Sequence, residues 1–164
     1  RRVDLYFQGR AHTAGDIIIH VPDSNVLFTG DIVEYKSACY CGDAHLQDWP
    51  GTLKNIAKFQ AVSLVPGRGD ALTDLKKIEN ALELTEDFVI STFKSVSKIV
   101  HMGGDLKEAM LSCREHCDKK FSDYAIYEHC LPFNVSRAFD EARGIDNPRI
   151  WTADRDKEMW NLLQ

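Results

Sequence analysis

The chain has 164 residues, of which 44% are hydrophobic and 27% charged, and its formal net charge is −5. It has no lysine- and arginine-rich block of the kind that binds nucleic acids, and no apolar run near the ~20 residues that cross a bilayer. We therefore expect a globular chain with no nucleic-acid partner and no membrane partner.

The beginning of the chain has the pattern of strands joined by loops. Residues 3–7 alternate between apolar and polar side chains, which indicates a strand with one buried face. The β-branched run at residues 16–21 is typical of a strand that is buried on both faces. A turn-forming sequence at residues 22–25 leads into residues 26–31, so we expect a β-hairpin here.

Helical periodicity appears next. A helix is expected to start at Pro50, and residues 61–70 are expected to form a short strand that ends in a glycine-rich loop. From Thr73 the apolar spacing predicts a helix of about 25 residues that stops at Gly103 and Gly104.

Three further helices are predicted toward the C-terminus. Asp105 is expected to cap the first of them. Pro132 is expected to bend or interrupt the second, which stops at Gly144. Thr152 opens the last helix.

The sequence contains five cysteines, which are Cys39, Cys41, Cys113, Cys117 and Cys130. An odd number of cysteines in a chain of this size favours free thiols over a disulfide framework. Free thiols are typical of a reducing compartment, so we expect a cytoplasmic protein.

Three short motifs follow the predicted strands, and they are GRAHTAGD (Gly9–Asp16), LFTGD (Leu27–Asp31) and LVPGRGD (Leu64–Asp70). His12 lies in a loop after one strand and Asp31 at the end of another, so a sheet can bring both to one edge. A neutral imidazole and a carboxylate are ligand types that hold zinc or iron(II). Taken alone, however, a loop histidine is more often a solvated or capping residue.

In this order and spacing, the three motifs resemble those of the metallo-β-lactamase superfamily. Its members carry Gly-x-x-His-Thr-x-Gly, then Thr-Gly-Asp at the end of the next hairpin strand, then Pro-Gly-His-Gly. The resemblance implies an α/β fold in which residues 1–72 are the second half of an αβ/βα sandwich. Residues 73–164 would then be an all-helical C-terminal extension. The resemblance also implies that His12 and Asp31 are metal ligands.

The superfamily's largest ligand cluster, His-x-His-x-Asp-His, does not occur in this sequence, since no two of the six histidines lie two residues apart. In the superfamily that cluster belongs to the first half of the fold. We therefore expect the chain to be the C-terminal part of a larger protein, with the missing N-terminal half as its partner. A catalytic zinc site typically has three protein ligands, so we expect this fragment alone to be inactive.

Arg68 stands where the superfamily's third motif has a histidine. A guanidinium has no lone pair to offer a metal, so we expect one metal per site rather than two. Several roles remain open for Arg68. It pairs with Asp31 or Asp70 and replaces the charge of a second metal, or it binds a carboxylate or phosphate of the substrate, or it makes an ordinary loop salt bridge.

The resemblance implies a metal-dependent hydrolase that acts on a small-molecule substrate, namely an ester, a thioester or a lactone. Zinc would lower the pKa of a bound water to ~7 and polarise the carbonyl. Asp31 would position that water or take its proton. Tyr40 lies in the loop that follows Asp31, and we expect it to contact substrate at the mouth of the pocket.

Two other functions remain open. Iron(II) held by His12, Asp31 and a histidine of the missing half would resemble the persulfide dioxygenases of the same superfamily. A non-catalytic relative would keep the fold as a binding module without metal. In each case the helical extension is expected to cover the pocket or to form a homodimer.

Overall fold

The computed structural model describes residues 1–163, which form a mixed four-stranded sheet and five α-helices. The strands are β1 (Asp4–Tyr6), β2 (Ile18–Val21), β3 (Val26–Gly30) and β4 (Ser63–Pro66). The helices are α1 (Trp49–Ala57), α2 (Leu75–His101), α3 (Leu106–Phe121), α4 (Tyr127–Ala142) and α5 (Ala153–Leu163). The predicted α/β fold class with a helical C-terminal region is confirmed.

The strands follow one another across the sheet in sequence order. β2 is antiparallel to both β1 and β3, whereas β4 is parallel to β3. The hairpin of β2 and β3 is confirmed. Its connection is a turn of 3-10 helix at Pro22–Ser24, which ends at Asn25 with a φ of 46°. Asparagine is one of the few residues that adopt this left-handed conformation readily.

The prediction that β2 is buried on both faces is wrong. Ile18 is fully buried, but Ile19 is 38% exposed. A β-branched run gives strand propensity without showing how many faces are covered, and here helices pack against one face only.

The uncovered face of the sheet is apolar. Leu5, Ile19 and Phe28 lie opposite one another in the register of three neighbouring strands. They are 64%, 38% and 40% exposed, respectively. Val3, Phe7 and Ile17 are also exposed large apolar residues in this part of the chain. Exposed apolar patches of this kind are typical of interaction surfaces.

The predicted helix boundaries on either side of Gly103 are confirmed. Asp74 caps α2 by accepting a hydrogen bond from Lys77 N, and α2 runs for 27 residues. Asp105 caps α3 in a capping box with Glu108, in which each side chain accepts from the other residue's backbone N–H. Gly103 has a φ of 77°, which a residue with a side chain adopts only at a cost.

The predicted interruption at Pro132 does not occur, since α4 continues through this residue. Pro132 is near the start of α4, so its missing N–H removes only one of the first intrahelical hydrogen bonds. Leu131 and Val135, on either side of it, are fully buried and hold the helix by packing. Thr152 caps α5, as predicted, by accepting a hydrogen bond from Arg155 N.

One continuous core joins the sheet to the helices. Trp49 of α1, Phe88 of α2, Phe121 of α3 and Tyr127 of α4 are all members of it. The five cysteines are free, as predicted, and all five are buried. Within residues 1–163, no helix has the length and hydropathy of a membrane span.

Candidate metal centre

Three loops meet at one edge of the sheet. The loop between β1 and β2 carries His12, the end of β3 leads into Asp31, and the end of β4 leads into Arg68. Because β3 is antiparallel to β2 and parallel to β4, these three loops leave the sheet on the same side. The strand pairing therefore brings together residues that are far apart in the sequence.

The two predicted metal ligands lie side by side. His12 Nε2 is 3.7 Å from Asp31 Oδ2, and both side chains are partly exposed. Two ligands with bonds of ~2.0–2.2 Å to a tetrahedral zinc ion lie about 3.3–3.5 Å apart. The observed separation is within a few tenths of an ångström of that value. The atoms thus lie where one cation can reach both, although their role as ligands stays a prediction.

Asp16 and Trp49 flank the imidazole of His12. Asp16 accepts hydrogen bonds from Thr13 N (2.6 Å) and Thr13 Oγ1 (2.8 Å), which closes the turn after His12. Its Oδ1 lies 3.9 Å from His12 Nδ1, on the side of the ring away from Asp31. The indole of Trp49 packs edge-on against His12, and its Nε1 donates to Ile32 O at 2.9 Å. A carboxylate beside the second ring nitrogen is a common partner of a ligating histidine. Sequence reasoning missed this role of Asp16, although it ends the GRAHTAGD motif.

Gly67 leaves room for Asp31. A Cβ added at Gly67 would overlap Asp31 Oδ1 and would lie 2.7 Å from Asp31 N. Gly67 N also donates a hydrogen bond of 3.0 Å to Val33 O. Gly67 of the third motif is therefore required, because the loops that carry Gly67 and Asp31 approach each other closely.

Arg68 lies between two carboxylates. Its Nη1 donates to Glu34 Oε1 and lies 3.6 Å from Asp31 Oδ1. The Glu34 side chain is 1% exposed, whereas that of Arg68 is 39% exposed. The structure thus gives Arg68 the ionic contact with Asp31 that was one of its predicted roles. It adds Glu34, which the sequence did not single out.

Burial raises the pKa of the Glu34 carboxyl to about 7. The Arg68 guanidinium opposes this rise, and the nearby Asp31 carboxylate adds to it. Glu34 Oε2 has no hydrogen-bond partner within residues 1–163. A buried carboxylate with one free oxygen is costly, so its pairing with Arg68 is what keeps it in place.

Tyr40, in the loop that follows Asp31, lies near the imidazole of His12. Its ring centroid lies 6.2 Å from that of His12 and 5.4 Å from that of Phe133. Cys39 and Cys41 are fully buried on either side of it. Burial raises the pKa of both thiols well above the ordinary value, which disfavours a nucleophilic thiolate. Contact of Tyr40 with substrate stays a prediction.

Across residues 1–163, no cluster of three or more histidine, cysteine, aspartate or glutamate side chains is arranged to hold a metal ion. The assignment of His12 and Asp31 as metal ligands therefore stays a prediction.

Comparison with known proteins finds relatives over about half of the chain. A type 2 metallo-beta-lactamase of Bacteroides fragilis is 34% identical over 98 residues, which are 56% of this chain and 39% of that protein. A type 2 metallo-beta-lactamase of Elizabethkingia meningoseptica is 30% identical over 88 residues, which are 51% of this chain and 35% of that protein. The matched part thus spans less than half the length of each relative. No protein-family model matches.

Solved structures give a similar extent of overlap. TMB-1 has 26% sequence identity and a TM-score of 0.47, with 54% of this chain and 40% of that chain covered. The metallo-beta-lactamase DIM-1 has 23% identity and a TM-score of 0.47, with 54% and 42% covered.

We expect Gly67→Ala to lower the free energy of unfolding by about 1–3 kcal/mol, because the new methyl group overlaps Asp31. Urea unfolding measures the loss, and the carboxyl ¹³C signal of Asp31 reports its displacement. Gly51→Ala is the matched control, since Gly51 lies in α1 and a Cβ there meets nothing within 4 Å. That variant should gain stability from its higher helix propensity. Equal stability of Gly67→Ala and the unmodified protein would contradict the close approach.

We expect Glu34→Gln to change how stability depends on pH. Between its ordinary pKa of 4.5 and about 7, the folded protein keeps the Glu34 proton that the unfolded chain has released. The stability that this proton contributes is therefore complete below pH 4.5 and is lost as pH rises to 7. Unfolding of metal-free protein between pH 4.5 and 7.5 should show a loss of about 1–3 kcal/mol that Glu34→Gln lacks. The exposed α2 residue Glu79, changed to glutamine, is the control, and parallel pH profiles for all three proteins would contradict the prediction.

Proposed function

Because about half of this chain belongs to the metallo-β-lactamase superfamily, we propose that it forms the second half of a metal-dependent hydrolase acting on a small ester, thioester or lactone. The relatives support the class of metal-dependent hydrolase. The observation that carries the proposal is the approach of His12 Nε2 to Asp31 Oδ2, at 3.7 Å on a partly exposed sheet edge. The substrate and the activity of the whole protein are part of the proposal.

His12 and Asp31 would hold a single zinc ion. Their nitrogen and oxygen donors suit zinc, and their separation matches two ligands of one ion. Zinc held there would supply a water of lowered pKa and would polarise the substrate carbonyl. Asp31 has one oxygen toward His12 and the other toward Arg68, and we propose that it orients the attacking water or accepts its proton.

The position of Arg68 supports one metal rather than two. Its guanidinium carries a permanent positive charge 3.6 Å from Asp31 Oδ1, and a second metal ion at this side of Asp31 would be repelled by it. Only one of its five N–H donors is used by Glu34 in the described residues. We propose that its remaining, partly exposed N–H groups bind a carboxylate or phosphate of the substrate.

Tyr40 and Trp49 complete the site on the side of His12. Trp49 is fully buried against the imidazole and keeps water from that side of it. Tyr40 is half-buried, with its hydroxyl against Gly42. We propose that the Tyr40 ring contacts the apolar part of the substrate.

The exposed apolar face of the sheet supports a partner that completes the site. Leu5, Ile19 and Phe28 cover three adjacent strands, and the edge of the same sheet carries His12. We propose that the N-terminal half of the same fold packs on this face and supplies the remaining metal donors. A homodimer through this face would be the alternative, and size-exclusion chromatography with light scattering distinguishes the two.

We expect the natural protein that contains this chain to hold close to one equivalent of zinc and to cleave thioesters or lactones. His12→Ala should remove a ligand and lower both the zinc content and the activity at least tenfold. Plasma mass spectrometry of gel-filtered protein measures the metal. His101→Ala, at the exposed end of α2, is the matched control and should leave both unchanged.

Other outcomes of that measurement contradict the hydrolase. Iron together with oxygen uptake that depends on a persulfide would support the dioxygenase. Protein without stoichiometric metal, in which His12→Ala changes nothing, would support a non-catalytic binding module.

We expect Arg68→Met to lower kcat/KM for substrates that carry a carboxylate by about 10–100-fold, because a hydrogen bond to a charged group is lost. Neutral esters of the same size should react at an almost unchanged rate. The double variant with Glu34→Gln removes the carboxylate that Arg68→Met leaves unpaired, so it controls for structural damage. An equal loss for charged and neutral substrates would contradict a substrate-binding role.

A further inference from the structure

Helix α4 carries a buried polar stripe. Asn134, Arg137 and Glu141 lie three and four residues apart, so they share one helix face. They are 1%, 2% and 8% exposed. Polar side chains at such depth are costly unless each one is hydrogen-bonded.

All three side chains bind the backbone of the loop at residues 39–47, which follows the predicted ligand Asp31. The bonds are 2.6–2.9 Å long and join Asn134 to Cys41 N and Cys39 O, Arg137 to Ala44 O, and Glu141 to Leu46 N and Gln47 N. Most of this loop is buried although it is neither strand nor helix. Buried backbone groups outside regular structure need partners, and the stripe provides them.

The loop in turn fixes the segment that carries His12. His45 N donates to Ala11 O at 2.8 Å, directly before His12. Tyr40, in the same loop, packs near the imidazole. The loop therefore contacts the His12 segment in two ways. One is the backbone hydrogen bond to Ala11, and the other is the Tyr40 ring beside the imidazole.

A second connection runs through the residues after α4. Arg10 Nε donates to Asp48 Oδ2 (2.6 Å), and its Nη1 donates to Asp146 Oδ2 (2.9 Å). Arg137 binds the backbone of this same segment, because its Nη2 donates to Asp146 O at 2.7 Å. The guanidinium of Arg137 thus joins the loop and the segment that holds Arg10.

From these contacts we infer that the polar stripe of α4 positions His12 for metal binding, with Glu141, which accepts from the backbone N–H directly after His45, as the positioning residue to be tested. This inference rests on the proposed function only in taking His12 as a ligand. α4 touches neither His12 nor Asp31 in the described contacts, and it acts through the loop at residues 39–47. The metal centre then depends on a helix whose residues lie more than 100 positions after His12.

The test is Glu141→Gln in the metal-free chain, studied by amide hydrogen exchange and by NMR of the histidine rings. Glutamine keeps the size but replaces one of two acceptors by a donor, so one loop N–H loses its partner. We expect the His45 amide to exchange about tenfold faster or more, and the His12 ring signals to shift. Amides in the centre of α2, such as Val89, should keep their exchange rates. Glu128→Gln, on the exposed side of α4 in a pair with Arg114, is the matched control and should change neither signal.

The inference is overturned if the His45 amide stays protected, or if His45 and Val89 exchange faster by the same factor. If Glu141→Gln does not fold, the inference is tested instead by amide hydrogen exchange of the unmodified chain at low denaturant concentration. The amides of Cys41, His45 and Leu46 should then open together with those of α4, and separate opening would overturn the inference. None of these readouts needs metal, so if this chain responds as expected but the natural protein that contains it holds no zinc, the proposed function alone is refuted.

Discussion

The candidate metal centre depends on the pairing of β3 with its two neighbours. β3 is antiparallel to β2 and parallel to β4, and this combination sends the loops with His12, Asp31 and Arg68 to one edge. Reversing either pairing would move one of the three to the opposite edge. A shift of β3 by one residue in register would also turn the buried Leu27 outward. Burial of Leu27 in the core therefore fixes the register of β3 and, with it, the position of Asp31 at the end of that strand.

The charges at this edge form a chain that begins in the core. Glu34 N donates to Thr85 Oγ1 of α2, which fixes the backbone of Glu34 below the site. The Glu34 carboxylate binds Arg68, and Arg68 lies beside Asp31. The long helix α2 therefore sets the position of the one guanidinium in contact with Asp31 within the described residues. Because Glu34 is buried, removing Arg68 would leave its carboxylate without a partner in the core, which is costly.

The resemblance of the three motifs to those of the metallo-β-lactamase superfamily led to the prediction that His12 and Asp31 meet at one edge of the sheet, and it left contact of Arg68 with Asp31 as one of several possibilities. Glu34 could not be predicted, because its burial is decided by α2, which comes 40 residues later in the chain. Asn134, Arg137 and Glu141 were missed for a related reason: polar residues at helical spacing are usually a solvated face. The run at residues 16–21 showed a strand but not that one of its faces lacks a covering layer.

If the proposed metal binds here, the arginine in the third motif also determines what a chelator does to this edge. The guanidinium of Arg68 is covalently part of the chain, so it would stay beside the Asp31 carboxylate when a bound ion is removed. The centre would then keep a positive charge next to that carboxylate, and removal of the ion would disturb this edge less than it would without the arginine.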